Sequence, residues 1–196
     1  MREVLLSISS SRLRTSTNAP ILTSAARISD LVLAIKEYTY MDQAPVQNVD
    51  IVKSLESTLT ILNHKLKKGV TVHREYQKVP LLVNSFGSEL NQVWTNIIDN
   101  AIDAMGGQGE LRLKIYKDDN RCVVVEIGDN GPGISPEIQT HIFEPFFTTK
   151  GVGEGTGLGL DTAQRIVKKH KGTIQVTSKP GDTLFQVWLP LADAKA

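Results

Sequence analysis

The chain is short of several things that would define a function class. It has a single cysteine, Cys122, so it can close no internal disulfide and build no thiolate zinc cluster, and a reducing compartment is expected. No apolar run approaches the ~18 residues of a membrane span, and Met1-Arg2-Glu3 opens no signal-peptide core, so a soluble, cytoplasmic chain with no membrane segment is expected. It also lacks an excess of either charge. With 22 Lys+Arg against 21 Asp+Glu, nothing favours a nucleic-acid partner or a polybasic membrane anchor. There is no Gly-Lys-Ser/Thr phosphate loop, and the glycine turn Gly131-Pro132-Gly133 has the wrong spacing for a dinucleotide-binding fingerprint.

What is present is globular: 40% hydrophobic and 22% charged residues among 196, enough for one domain with its own core plus a short appendage. Glycine is unevenly spread. Eight of the 15 glycines fall between Gly128 and Gly159, which marks this region as the place to seek function.

The apolar pattern divides the chain near residue 45. Ile21, Ala25, Ile28, Val32 and Ile35 alternate steps of four and three, predicting a helix over about 20–41 whose stripe calls for another helix. Residues 1–45 are therefore expected to be part of a helical dimerisation region, and 46–196 a separate globular domain. Within the latter the expected elements are a helix from Asp50 to Lys68, a strand over Val70–Tyr76 and a helix over Gly87–Met105. Strands over Glu110–Tyr116 and Cys122–Ile127 follow, then a short helix from Pro136, a loop over 144–156, a helix over Leu158–His170 and two closing strands. Trp94 and Trp188 are expected in the core. This order implies an α+β two-layer sandwich with helices on one face of the sheet.

The chemistry follows from the glycine region and its neighbours. Asp129 ends an apolar strand, where its carboxylate can accept a hydrogen bond from an exocyclic amine such as that of adenine. Gly131 and Gly133 are expected to let the backbone pass close to a flat ligand. Gly155-Thr156-Gly157-Leu158-Gly159-Leu160 opens a helix whose free N–H groups and dipole suit a phosphate. Asn96 and Asn100, four residues apart, share a helix face, and an amide oxygen is a hard, neutral ligand for Mg²⁺.

These stretches resemble the nucleotide-binding boxes of sensor histidine kinases. Leu90 to Ala101 is similar to the N box, Asp129-Asn130-Gly131-Pro132-Gly133-Ile134 to the G1 box, Ile142 to Lys150 to the F box and Gly155 to Leu160 to the G2 box, in the family's order within about 70 residues. The resemblance implies the Bergerat fold, a mixed sheet with helices on one face, shared with type II topoisomerases, the heat-shock chaperone ATPase and mismatch-repair ATPases. It implies ATP and Mg²⁺ as cofactors, Asn100 as the metal ligand, Asp129 as the reader of the adenine amine and residues 134 to 156 as an ATP lid. Ile134, Lys150, Gly155, Thr156, Gly157, Leu158, Gly159 and Leu160 would line the nucleotide, Lys150 would reach a phosphate, and Thr183 would support the Asp129 contact through water. Asn96 stands where hydrolytic relatives carry a Glu that activates water, and it cannot act as a base. Transfer of the γ-phosphoryl to a histidine, and thence to a response regulator receiver domain, is therefore favoured over hydrolysis.

The sequence also departs from the family. Asp103 occupies a position where many members have Lys or Arg. None of His64, His73, His141 and His170 has the context of a phosphoacceptor, which the resemblance places upstream of this chain or on another protein. A serine/threonine kinase of the anti-sigma-factor type and a non-catalytic ATP-binding scaffold remain as alternatives. Self-association through the N-terminal helices is expected.

Overall fold

A computed structural model describes residues 46–86, 88–151 and 155–192; the expected dimerisation helix over 20–41 lies outside the described residues. The chain enters through strand β1 (Val46–Asp50), which pairs antiparallel with β3 (Leu82–Phe86), Val46 opposite Phe86 and Asp50 opposite Leu82. Sequence patterning did not indicate β1. Its Val46 and Val49 are three apart rather than two, and its partner lies more than thirty residues downstream.

Asp50 then turns the chain into helix α1 (Ile51–Ile61), its Oδ1 accepting the N–H groups of Val52 at 3.0 Å and Lys53 at 3.3 Å. The expected single helix to Lys68 is interrupted at Leu62 and resumes as the one-turn α2 (Asn63–Leu66). Leu62 and Leu66 are both buried, so the apolar period continues across the break and hides it.

The main sheet has the order β2-β4-β5-β7-β6, from β2 (Val70–Tyr76), β4 (Gly109–Lys117), β5 (Cys122–Asp129), β6 (Thr173–Lys179) and β7 (Asp182–Pro190). Only β2 and β4 are parallel among these neighbours, because the chain between them crosses over through β3 and helix α3 (Glu89–Ala104). The mixed sheet expected from the resemblance is thus observed.

Three helices cover one face: α1, α3 and α5 (Gly159–Lys169), while α4 (Pro136–Gln139) is a single turn. Helix α3 sinks Leu90, Val93, Trp94, Ile97, Ile98, Ala101 and Ile102 against Leu111, Leu113, Ile115, Val125 and Ile127 of the sheet. Burying each such side chain contributes about 1.5–3 kcal/mol. The buried Trp94 Nε1–H donates to Ser54 Oγ at 2.9 Å, and Ser54 in turn donates to Asn91 Oδ1 at 2.6 Å, so the core indole leaves no orphan donor. Trp188 is not a core residue as expected. It alternates with the buried Val187 and Leu189 and is half-buried on the opposite side of β7. No helix among the described residues is long and apolar enough to cross a membrane.

Candidate nucleotide site

Asp129 is the last residue of β5, with Leu111 of β4 on one side and Thr183 of β7 on the other. Only 3% of it is exposed. Its Oδ1 accepts the Gly131 N–H at 2.9 Å, and among the described residues its other oxygen accepts no hydrogen bond. Burial pushes the carboxyl above its ordinary range, and the Gly131 amide and the Arg112 charge only partly oppose this. A buried carboxylate with one oxygen anchored and the other uncommitted fits an amine donor brought by a ligand.

The loop after Asp129 is held by side chains that the sequence did not single out. Ser178 Oγ accepts the Ile134 N–H at 2.8 Å and shares a hydrogen bond with the Thr183 hydroxyl at 2.8 Å. Gln139 Nε2 donates to the carbonyls of Ile134 at 2.7 Å and Ser178 at 3.0 Å. Thr183 therefore lies beside Asp129, with its hydroxyl engaged by Ser178.

The two glycines of this loop make room for neighbouring protein atoms. A Cβ on Gly133, whose φ is +85°, would stand 2.7 Å from the Lys179 carbonyl, and one on Gly131 would stand 2.9 Å from Asp129 Oδ1. Gly181 N–H closes the packing by donating to the Gly131 carbonyl at 2.9 Å.

The second half of the site lies between α3, the segment 142–151 and the start of α5. Asn96 has both amide groups engaged: Nδ2 donates to the Gly159 carbonyl at 2.9 Å, and Oδ1 accepts from Gln92 at 3.1 Å. It anchors α5 to α3. One turn on, Asn100 Oδ1 lies 3.4 Å from the ammonium of Lys150, which is also 2.5 Å from Asp103 Oδ2. Lys150 is thus not a freely solvated charge; the fold carries it to the face of α3 that bears Asn100.

Helix α5 starts at Gly159 without a side-chain cap on Leu158, which leaves its first N–H groups to a ligand or water. Leading into it, Thr156 Oγ1 accepts the Leu158 N–H at 3.4 Å, and Leu160 packs partly buried on the core. Gly157, at φ +68°, accepts the Phe146 N–H at 2.9 Å and lies so close to the Phe146 carbonyl that a Cβ could not be accommodated. A Cβ on Gly155 would stand 2.8 Å from Thr148 Oγ1 and 3.2 Å from Lys150 Cδ. Residues 152–154 of the expected lid lie outside the described residues. Phe143 meets Phe185 edge-on at 6.4 Å, as lid packing requires, whereas Phe146 is 68% exposed.

The histidines are committed elsewhere. His64 lies near the Ile61 carbonyl and His141 pairs with Glu144. His170 caps α5 and is buried, its Nδ1 on the Ile166 carbonyl at 2.8 Å and its Nε2 beside Ser85 Oγ at 3.1 Å.

The donor set around Asn100 suits Mg²⁺, a hard amide oxygen standing near a carboxylate, since magnesium takes few protein ligands when phosphates and waters complete its octahedron. No group of three or more His, Cys, Asp or Glu among the described residues would hold a metal without a ligand.

The chain is similar to known proteins. Residues 87–193 match the family described as histidine kinase-, DNA gyrase B-, and HSP90-like ATPase. The chain is 32% identical over 173 residues to the signal transduction histidine-protein kinase AtoS of Escherichia coli strain K12, covering 87% of this chain and 28% of AtoS. It is 34% identical over 150 residues to the sensory histidine kinase/phosphatase NtrB of Escherichia coli O157:H7, covering 71% of this chain and 42% of NtrB. The nucleotide-free catalytic domain of the histidine kinase ThkA superposes with a TM-score of 0.68 at 28% identity, over 75% of this chain and 96% of that one. The chain thus spans well under half the length of these two curated relatives.

Proposed function

The chain belongs to the histidine kinase-, DNA gyrase B- and HSP90-like ATPase family, and from that premise we propose that it is the ATP-binding catalytic part of a two-component histidine kinase. The observation that carries this reading is Asp129: a buried carboxylate at a strand end, one oxygen held by Gly131 and the other uncommitted, beside Thr183. In this reading Asp129 accepts the adenine amine, and the amides leading into and opening α5, from Gly157 to Leu160, receive phosphate oxygens. Lys150 reaches the terminal phosphate. Mg²⁺, when bound at Asn100, neutralises phosphate charge.

The reaction is displacement at the γ-phosphorus: a histidine ring nitrogen forms the new P–N bond, the bond to the β-phosphate oxygen breaks, and ADP leaves. Such transfer needs chiefly positioning and charge neutralisation, which this site supplies. Hydrolysis needs a base for water, and Asn96 is an amide with both groups engaged. The phosphoryl group then passes to an aspartate of a response regulator receiver domain. Residues 46–196 form the catalytic unit in this proposal, and the stripe over residues 21–35 joins two copies in a helical bundle in the cytoplasm.

Incubation with γ-labelled ATP tests the reading. The chain alone should bind ATP in a Mg²⁺-dependent way and take up little label. Added phosphoacceptor helices, in cis or in trans, should become labelled, and acid should remove the label. Acid-stable label would instead indicate a serine or threonine acceptor, and strong labelling of the chain alone on one of its four histidines would place the acceptor here.

A further inference from the structure

One turn of α3 presents two oxygens to one cation. Asn100 Oδ1 and Asp103 Oδ2 flank the Lys150 ammonium at 3.4 and 2.5 Å, and all three side chains lie partly exposed at the same rim. The neighbouring carboxylate Asp99 does not share in this, because Lys65 of α2 pairs with it at 2.5 Å. Asp103 is therefore the carboxylate that stands beside the inferred metal ligand, and its compensating charge comes from a loop lysine forty-seven residues away.

We propose that Asp103 belongs to the metal site with Asn100, and that Lys150 is its exchangeable occupant. Mg²⁺ arriving with nucleotide takes the place of the ammonium between the two oxygens, and the ammonium passes to the terminal phosphate. This deepens the function proposed above and rests on it.

Three physical points support the exchange. Magnesium with bound nucleotide is commonly held by one or two protein carboxylates together with phosphates and waters, so a carboxylate one turn from Asn100 fits the ion. Two cations cannot share the Asn100 oxygen without strong repulsion at such separation, so the ammonium must leave. Lysine suits leaving, being a point charge on a flexible four-carbon stem that loses no fork geometry when it changes partner. Without Lys150, Asp103 would face the polyphosphate as an uncompensated anion until metal arrived.

The roles separate experimentally because the two partners of the pair should act in opposite directions. ADP is titrated calorimetrically into the full 196-residue chain at graded Mg²⁺ concentrations. With ADP any γ-phosphate contact of Lys150 is absent, so the competition for the Asn100 and Asp103 oxygens dominates the effect of the lysine. Asp103→Asn should raise the Mg²⁺ concentration for half-maximal binding by about tenfold, the scale seen when a group supporting a metal is lost. Lys150→Met, which keeps the stem but not the charge, should lower it. Both side chains are at the rim, so the folded state survives either change. Equal shifts in one direction, as a purely structural ion pair would give, overturn the proposal, and so does a midpoint that neither variant moves. Should either occur while ADP still binds, the nucleotide-binding reading stands and the exchange fails; a wild-type chain that binds no adenine nucleotide overturns both.

Discussion

Asn96 of α3 donates to the carbonyl of Gly159, the first residue of α5, at 2.9 Å, and this bond ties together the two helices that bound the second half of the candidate site, across sixty-three residues of sequence. Because Gln92 occupies the Asn96 oxygen, the amide is oriented and its donor end is directed at α5. The start of α5, where phosphate is proposed to bind, is thereby referenced to the helix that carries Asn100.

Asn96→Ala should cost about 1–2 kcal/mol of stability in urea unfolding, since it leaves the Gly159 carbonyl and the Gln92 amide without their partner. It should also weaken triphosphate binding more than adenosine binding. A variant that loses stability but keeps its triphosphate preference would show that the bond does not register the helix.

Asp129→Asn should weaken adenine-nucleotide binding by about 1–3 kcal/mol, because Asn opposes one donor with another in a buried position. A purine nucleotide lacking the exocyclic amine should lose much less. Equal losses for both ligands in calorimetry would remove Asp129 from adenine recognition.

The same substitution should affect the ligand-free fold in the opposite sense, in a pH-dependent way. Burial raises the carboxyl of folded Asp129 above its ordinary value, so the folded chain holds that proton more tightly than the unfolded chain. The resulting stabilisation is complete in acid and is lost as pH rises from the ordinary carboxylate range through the raised folded value. The melting temperature of Asp129→Asn relative to wild type should therefore climb across that window and level off above it. A difference that does not vary with pH would mean the carboxylate costs nothing to bury.

Gly157→Ala should disrupt the clasp between the 142–151 segment and α5. The backbone there is at φ +68°, which alone costs an alanine about 1–2 kcal/mol, and the new Cβ would strike the Phe146 carbonyl. Gly106, at φ +61°, is a matched control that carries the conformational cost alone, because a Cβ there would meet nothing within 4 Å. Gly157→Ala should unfold at lower denaturant than Gly106→Ala and speed amide exchange at Phe146. Equal behaviour of the two would dismiss the close approach.

Much of this protein was legible in its sequence because local burial writes a local pattern. The 3.6-residue period of α3 and the alternation along β4 needed no tertiary information, and the resemblance of the Asn96–Asn100, Asp129 and Gly155–Leu160 stretches to known nucleotide-binding boxes was likewise carried by the sequence. Whatever depends on pairing across long separations was not legible. Strand β1 lacks an alternating pattern and exists because β3 offers it hydrogen bonds. The reason for glycine at 133 lies in the Lys179 carbonyl, and Ser178 and Gln139 hold Ile134 from elements forty-four and five residues away. The partnership of Lys150 with Asp103 and the full engagement of Asn96 belong to the same class. Side-chain type and spacing were enough to say which face of α3 meets the core, but not which face of β7 does, as Trp188 shows. Folding alone determines that Asn96 is anchored, that one oxygen of Asp129 is left uncommitted and that Lys150 and Asp103 share a charge, because these depend on distances between segments that meet only in the folded chain.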